Sequence, residues 1–160
     1  MERGKPLERT TELGRGAVLE GGTRRGAGKP SPRRRDTGPD DLTRKAVYER
    51  DGYACVCCGQ SIIGRLHSVG HRKRRSQGGS NETSNLLTFL GDGSGRFDDD
   101  HHRRIDMRRD PQDEKRGLTV RSWLDPAEIR VLVTTRHGEQ ALVFLTDDAA
   151  YSSAPPEVAA

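Results

Sequence analysis

The sequence has few of the residues that build a large hydrophobic core. Of its 160 residues, 31% are hydrophobic and 4% are aromatic, and there is a single tryptophan. A core this small usually needs support from a metal ion or from disulfide bonds. The only cysteines are Cys55, Cys57 and Cys58, and thiols so near one another in the chain cannot easily pair with each other. We therefore expect no disulfide framework.

Long apolar runs are also lacking. No stretch approaches the roughly 20 apolar residues that span a membrane, and residues 1–40 lack the apolar core of a secretory signal. These features predict a soluble protein of a reducing compartment, the cytoplasm, with no membrane partner.

Charged residues, by contrast, are abundant and clustered. They make up 32% of the chain, with a net charge of +4. The basic clusters lie at 24–25, 33–35, 72–75, 103–104 and 108–109. Such clusters favour a polyanionic partner such as a nucleic acid, although a merely solvated surface explains them equally well.

The composition divides the chain into four segments. Residues 1–40 are rich in Gly, Arg, Lys and Pro and predict a disordered basic arm, either for phosphate contacts or for solubility alone. Residues 41–116 predict a compact domain, 117–149 a β-rich extension, and 150–160 a disordered tail. The fold class that we expect is α+β.

Local patterns place the elements. Asp40 and the Asp51-Gly52 pair predict the ends of one helix, with Leu42, Ala46 and Val47 along one stripe. We expect a strand leading into 71–75, a short apolar run at 84–90 and a helix opening at 101. Residues 118–123, 129–135 and 140–146 are β-rich, and the last two predict a hairpin that either completes the core or extends to DNA.

Two histidine-plus-cation clusters could act on a phosphodiester. His71 precedes Arg72, Lys73, Arg74 and Arg75, and residues 101–104 read His-His-Arg-Arg. A neutral imidazole can deprotonate water near neutral pH, cations can hold phosphates, and a divalent ion can neutralise the developing charge. Taken singly, each cluster is more often an ordinary surface patch.

The motifs "RDGYACVCCG", "HRKRRSQGGS", "SNLL" and "HHRRID" together resemble the HNH endonucleases, particularly those of bacteriophages. The resemblance covers about residues 44–110 and extends more loosely into the C-terminal extension. It implies a ββα-metal (His-Me finger) core within 41–116 and metal-dependent hydrolysis of DNA. It also implies a phage-encoded protein in the host bacterial cytoplasm, with DNA and phage packaging proteins as partners.

The resemblance also implies roles for individual residues. His71 matches the general base, Asn85 the residue that orients the site, and His102 a ligand of the catalytic ion. That ion would be Mg²⁺ or Mn²⁺, with Ni²⁺ or Zn²⁺ as alternatives. Asn85 could otherwise simply cap or turn the chain. The cations expected to contact phosphates are Arg72, Lys73, Arg74, Arg75, Arg103 and Arg104.

Gly70 departs from the family pattern. Many members carry His or Asp just before the base as a second metal ligand, and glycine has no side chain to donate. The ion would then be held by His102 together with one of Asp98–Asp100 or with Asp106. The rival interpretation is a non-catalytic DNA-binding protein built on a degenerate HNH core.

The cysteines depart from the pattern as well. Cys55 and Cys58 form a C-x-x-C-G knuckle, but the second pair of a closed zinc site is missing. The resemblance puts that pair near Leu90 and His101, so a structural zinc site of Cys55, Cys58 and His101 is the expectation, with Cys57 as a further candidate. The alternatives are a knuckle packed in the core and a zinc-ribbon-like adaptor for a packaging protein.

Overall fold

The computed structural model describes residues 38–96, 98, 100–107 and 110–155. Nearly all of the predicted basic arm, residues 1–37, lies outside this part of the chain. The described residues form a small α+β structure, the fold class that the sequence predicts, and they contain two antiparallel sheets. Within these ranges, no helix has both the length and the apolar character that a membrane crossing requires.

The first helix, α1 (Asp41–Arg50), begins and ends where the sequence predicts. The Asp40 carboxylate accepts a hydrogen bond from the Thr43 amide at 2.8 Å and so caps the helix. Val47 is fully buried, but Leu42 is 80% exposed. The predicted apolar stripe therefore packs only in its second half.

The next elements form a strand–strand–helix unit. Strand β1 (His67–His71) pairs antiparallel with β2 (Leu86–Leu90), with His71 opposite Leu86 and Gly70 opposite Leu87. Helix α2 (His101–Met107) packs against both strands. Asp100 caps α2, because its carboxylate accepts from the Arg103 amide at 2.8 Å. This unit brings three distant parts of the chain together.

After the short helix α3 (Pro111–Lys115), the chain forms a loop from 117 to 130 with one 3-10 turn at Pro126–Glu128. The strand predicted over 118–123 is wrong. The Leu118 amide bonds to the Asp113 carbonyl at 2.9 Å and the Val120 amide to the Arg72 carbonyl at 2.9 Å, so these amides serve as loop anchors and not as part of a ladder.

The second sheet contains β3 (Val131–Thr134), β4 (Gln140–Leu145) and β5 (Tyr151–Ser152). The predicted hairpin is confirmed, with β3 and β4 antiparallel. Its buried side chains Val131, Val133 and Leu145 lie in the same core cluster as Leu87 and Phe89 of β2. The hairpin therefore completes the core.

The tail is ordered further than the sequence predicts. Residues 150–160 were expected to be disordered, but β5 pairs with β4 and only 156–160 lie outside the described residues. The Tyr151 hydroxyl donates to the buried Asp51 carboxylate at 2.8 Å. Asp51 also accepts from the Arg50 guanidinium at 2.7 Å and from the Thr88 amide at 2.8 Å. The buried carboxylate of Asp51 therefore connects the C-terminal tail to the end of α1 and to β2.

Candidate functional site

Asn85 organises the loop that follows His71. It is fully buried immediately before β2. Its Oδ1 accepts from the Lys73 amide at 2.7 Å, and its Nδ2 donates to the carbonyls of Lys73 at 3.0 Å and Ser80 at 2.9 Å. These three bonds fix both ends of the segment 73–80. Asn85 thus supports the backbone next to His71.

His71 is the last residue of β1 and is half-buried. Its Nε2 lies 2.8 Å from Oδ1 of Asn81. Because an amide oxygen can only accept, Nε2 carries the proton and Nδ1 keeps the lone pair of the neutral ring. Burial lowers the pKa of His71, outweighing the Asn81 hydrogen bond and the charge of Asp106, which raise it. The imidazole is therefore held in its basic, neutral form.

A residue of β1 orients the ring of His102. Its Nδ1 lies 2.7 Å from Oγ of Ser68, whose hydroxyl donates to the Gly91 carbonyl at 2.5 Å. The Ser68 oxygen must therefore accept from Nδ1–H, which leaves the lone pair of His102 on Nε2. The ring also stacks on Phe89, with centroids 5.9 Å apart. Such a fixed tautomer is typical of a histidine that binds a metal ion.

Nε2 of His102 faces the carboxylate of Asp106 at 3.3 Å. Two acceptors at this distance need a proton or a cation between them. Two ligands on neighbouring corners of an octahedron lie about 3.0 Å apart when each bond is about 2.1 Å. Burial would raise the pKa of Asp106, but the contact with His102 and the electrostatic effects of His102, Arg74 and His71 lower it overall. The pair can serve a divalent ion.

Gly70 is required by packing. A Cβ at this position would lie 2.8 Å from two ring carbons of Phe89 and 3.0 Å from Cδ2 of His102. No side chain fits there unless these rings move. The rings thus occupy the space that a second metal ligand at position 70 would need.

Among the acidic candidates for a second ligand, Asp106 is the one that meets His102. The carboxylate of Asp100 is buried and accepts from the amides of Gly93, Gly95 and Arg103 at 3.3, 2.9 and 2.8 Å. It stabilises the start of α2. Asp98 is exposed, and Asp99 lies outside the described residues.

A second group of potential ligands lies on another side of α2. Donor atoms of Cys55, Cys58 and His101 lie within 4.8 Å of one another, and this group could hold a metal ion. Sγ of Cys55 is 3.2 Å from Nδ1 of His101, near the separation of about 3.6 Å expected for sulfur and nitrogen on a tetrahedral zinc ion. Cys57 is outside this group, and Leu90 is buried and apolar.

The neighbouring thiol of Cys57 stabilises the thiolate form of Cys55, which is the form that binds a metal ion. The pKa of Cys55 is lowered, first by a hydrogen bond from Cys57 and then, against the opposing effect of burial, by His101 and backbone amides. The same hydrogen bond, together with burial, raises the pKa of Cys57. Cys55 is therefore the more acidic thiol of the two.

Arg72 is too deeply buried to serve as the predicted surface contact to phosphate. It is 1% exposed, and burial lowers the pKa of its guanidinium. The group donates instead to four backbone carbonyls at 2.6 to 3.2 Å, those of Ser84, Gly117, Pro126 and Ile129. These carbonyls replace water around the buried charge. Arg72 joins the end of β1 to the loop 117–130.

Arg104 also makes contacts within the protein. Its guanidinium binds both oxygens of the buried Asp113 carboxylate at 3.1 Å and lies 3.8 Å from Sγ of Cys57. Because its side chain is also 31% exposed, its predicted phosphate contact stays a prediction, as do those of Lys73, Arg74, Arg75 and Arg103. Arg75 and Arg103 are exposed, whereas Lys73 and Arg74 are partly covered.

Three residues contact the histidines of the site but were not predicted from the sequence or were named only among alternatives: Ser68, Asn81 and Asp106. Strand alternation offered one signal, because Ser68 and Gly70 lie on the same face of β1. Helical spacing offered another, because Asp106 follows His102 by four residues. Asn81 gave no signal, since its contact depends on the path of the loop.

No family model matches the sequence, and neither the curated proteins nor the solved structures contain a significant match. Function must therefore be inferred from the site itself.

Proposed function

We propose that the protein is a divalent-metal-dependent endonuclease of the HNH type that hydrolyses DNA phosphodiester bonds. The observation that carries the proposal is the unit of β1, β2 and α2, in which Asn85 braces the backbone after His71 while His102 meets Asp106. On this proposal the unit is a ββα-metal core. The sequence resemblance supports a bacteriophage origin, with packaging proteins as further partners.

His71 is the general base. Its Nδ1 takes a proton from the attacking water, and Nε2 stays bonded to Asn81 at 2.8 Å, which stabilises the imidazolium that forms. The lowered pKa keeps the free ring neutral at pH 7. Asn85 positions this base through the backbone of Lys73.

His102 and Asp106 would hold a catalytic Mg²⁺ or Mn²⁺ ion. Such an ion supplies charge stabilisation at the phosphate and at the leaving 3′ oxygen. Ser68 keeps Nε2 of His102 free for this purpose. Two protein ligands suit magnesium, which retains several waters and binds substrate phosphates.

The exposed cations of the loop and of α2 hold the DNA backbone. Arg75 lies on the loop after His71, and Arg103 lies one position beyond His102 in α2. Phosphate contacts of this kind fix the position of the duplex without reading its sequence.

Zinc is the ion that we propose for Cys55, Cys58 and His101. Two thiolates and one imidazole match its preferred donors. His101 and His102 are adjacent in α2, so zinc at the first would fix the helix that carries the second. The role of this ion would be structural.

Nicking of supercoiled plasmid tests the proposed activity. The wild type is incubated with Mg²⁺, Mn²⁺, Ni²⁺ or EDTA, and His102→Ala and Asp106→Asn are compared with it. We expect cleavage that requires a divalent ion, and a higher metal concentration for half-maximal rate in both variants. His137→Ala is the matched control, because His137 is exposed in the turn after β3.

Two results would contradict the proposal. DNA binding without cleavage under every metal would favour the degenerate, non-catalytic core. Full cleavage in EDTA would remove the metal from the mechanism.

A further inference from the structure

Trp123, the single tryptophan of the chain, is 72% exposed. It lies on the loop 117–130, and the guanidinium carbon of Arg121 is 5.3 Å from the centre of its ring. A single exposed apolar side chain is ordinary, so the case for binding rests on the groups that surround the indole. Arg121 extends the flat surface of the ring.

Two clefts meet at Trp123. The first, of about 280 Å³, is bounded by Arg74, Val120 and Arg121, and the second, of about 360 Å³, by Lys73 and Ser80 among others. The smaller cleft is near the lower limit of small-ligand pockets, about 300 Å³. The indole lines both openings, with Arg74 and Arg121 beside it in the first and Lys73 in the second.

The loop is fastened on both sides of Trp123. Arg72 binds the carbonyls of Gly117 at 2.8 Å and Pro126 at 2.8 Å. The ammonium of Lys73 donates to the Leu124 carbonyl at 3.2 Å. Both cations immediately follow His71, so these bonds set the position of the indole relative to the proposed base.

The acidic residues around the clefts are engaged locally. Glu114 pairs with Arg121, and Asp110 accepts from the Gln112 amide at 2.8 Å. Asp125 accepts from the Ala127 amide at 2.9 Å, and Glu82 from the Ser80 hydroxyl at 2.7 Å. The pair with Arg121 offsets the charge of Glu114, and the hydrogen bonds hold the other three carboxylates in local contacts.

Arg74 links the first cleft to the proposed catalytic site. It lines the cleft, and its guanidinium donates to the Asp106 carbonyl. Arg74 therefore connects the His102–Asp106 pair to the cleft that Trp123 lines.

We propose that Trp123 is a stacking platform for an unpaired base of single-stranded DNA, with Lys73, Arg74 and Arg121 beside it for the adjoining phosphates. Bases in a duplex are already stacked, so an isolated ring gains most from a base that is unpaired. The inference rests on the proposed nuclease function for its purpose, since the strand bound would be a substrate strand. Binding itself is measured without cleavage.

The test uses the full chain in EDTA with single-stranded oligothymidylate. Because Trp123 is the sole tryptophan, quenching of indole fluorescence reports stacking at this ring directly. Affinities of variants are measured by anisotropy of a labelled oligonucleotide. We expect Trp123→Ala to bind about 5- to 150-fold more weakly, and Trp123→Phe to retain most of the affinity. Leu42→Ala, an exposed apolar residue on α1, is the control and should bind like the wild type.

Unquenched fluorescence at saturating oligonucleotide, or equal affinity of Trp123→Ala, would overturn the platform. A duplex of equal length that quenches as strongly would overturn the preference for single strands. Plasmid nicking without any fluorescence response refutes the platform alone. Quenching without nicking in any metal refutes the nuclease proposal and leaves the platform standing.

Discussion

Substitutions of Arg72 distinguish two possible roles of this residue, an internal structural role and a contact to phosphate. Arg72→Met keeps an apolar stem in the buried space but removes the charge and leaves four carbonyl oxygens without their donor. Each buried acceptor that loses its partner costs about 1 kcal/mol or more. We therefore expect the free energy of unfolding to fall by about 3–5 kcal/mol, a large share of the total for a domain of this size.

The measurement pairs urea denaturation with DNA binding as a function of salt. An arginine that neutralises one phosphate contributes about 0.9 to the slope of log affinity against log salt. Arg72→Met should leave that slope unchanged while it destabilises the fold. Arg75→Gln is the comparison: it should lower the slope by about 0.9 and, because Arg75 is exposed, destabilise the fold much less than Arg72→Met.

Arg72→Lys sharpens the test. Lysine keeps the charge, so it would preserve a phosphate contact, but one ammonium cannot replace a guanidinium that reaches four separate carbonyls. We expect this variant to be destabilised as well. A stable Arg72→Lys protein, or a reduced salt slope in Arg72→Met with little loss of stability, would refute the internal role of Arg72.

The remaining predictions concern the site. Because a general base works only when deprotonated, and burial lowers the pKa of His71, the acid limb of kcat/KM should have its midpoint below about 6.5. Asn81→Ala removes a bond that raises this pKa, so the limb should move to still lower pH; a midpoint above that of the wild type would contradict this. Gly70→Ala should cost about 1–3 kcal/mol in thermal unfolding, because its Cβ meets two rings, and an unchanged melting temperature would show that the rings can move. Metal analysis should find about one zinc per chain in the wild type and in Cys57→Ser but little in Cys55→Ser, and a folded wild type without zinc would reject the zinc assignment.

The elements with strong local signals could be predicted from the sequence. The Asp40 cap and the Asp51-Gly52 stop mark α1, and alternating apolar residues mark the β3–β4 hairpin. These signals depend on neighbouring residues only, so the fold around them does not alter them.

The errors arise where distant residues decide the outcome. The sequence around Arg72 is typical of a surface cation, yet its guanidinium is buried and donates to carbonyls of residues up to 57 positions away. The segment 118–123 has β-forming residues, but its amides find the carbonyls of Asp113 and Arg72. Tyr151 is held by a hydrogen bond to Asp51, 100 positions earlier in the chain. Periodicity within a short window contains no information on such partners.

The candidate site was predictable in part for the same reason. The motif order singled out Asn85, His71 and His102, but not the atoms that orient them. Ser68 fixes the tautomer of His102, and Asn81 that of His71, through bonds that depend on the path of the backbone. The glycine at position 70 reads as a missing ligand in the sequence and as a packing requirement in three dimensions.

The most direct test of the proposed function is the initial rate of plasmid nicking by His71→Ala in Mg²⁺, relative to the wild type at equal DNA occupancy. Removal of a general base should lower this rate by about 100-fold or more, with DNA binding retained. Equal rates for His71→Ala and the wild type would contradict the assignment of His71 as the base.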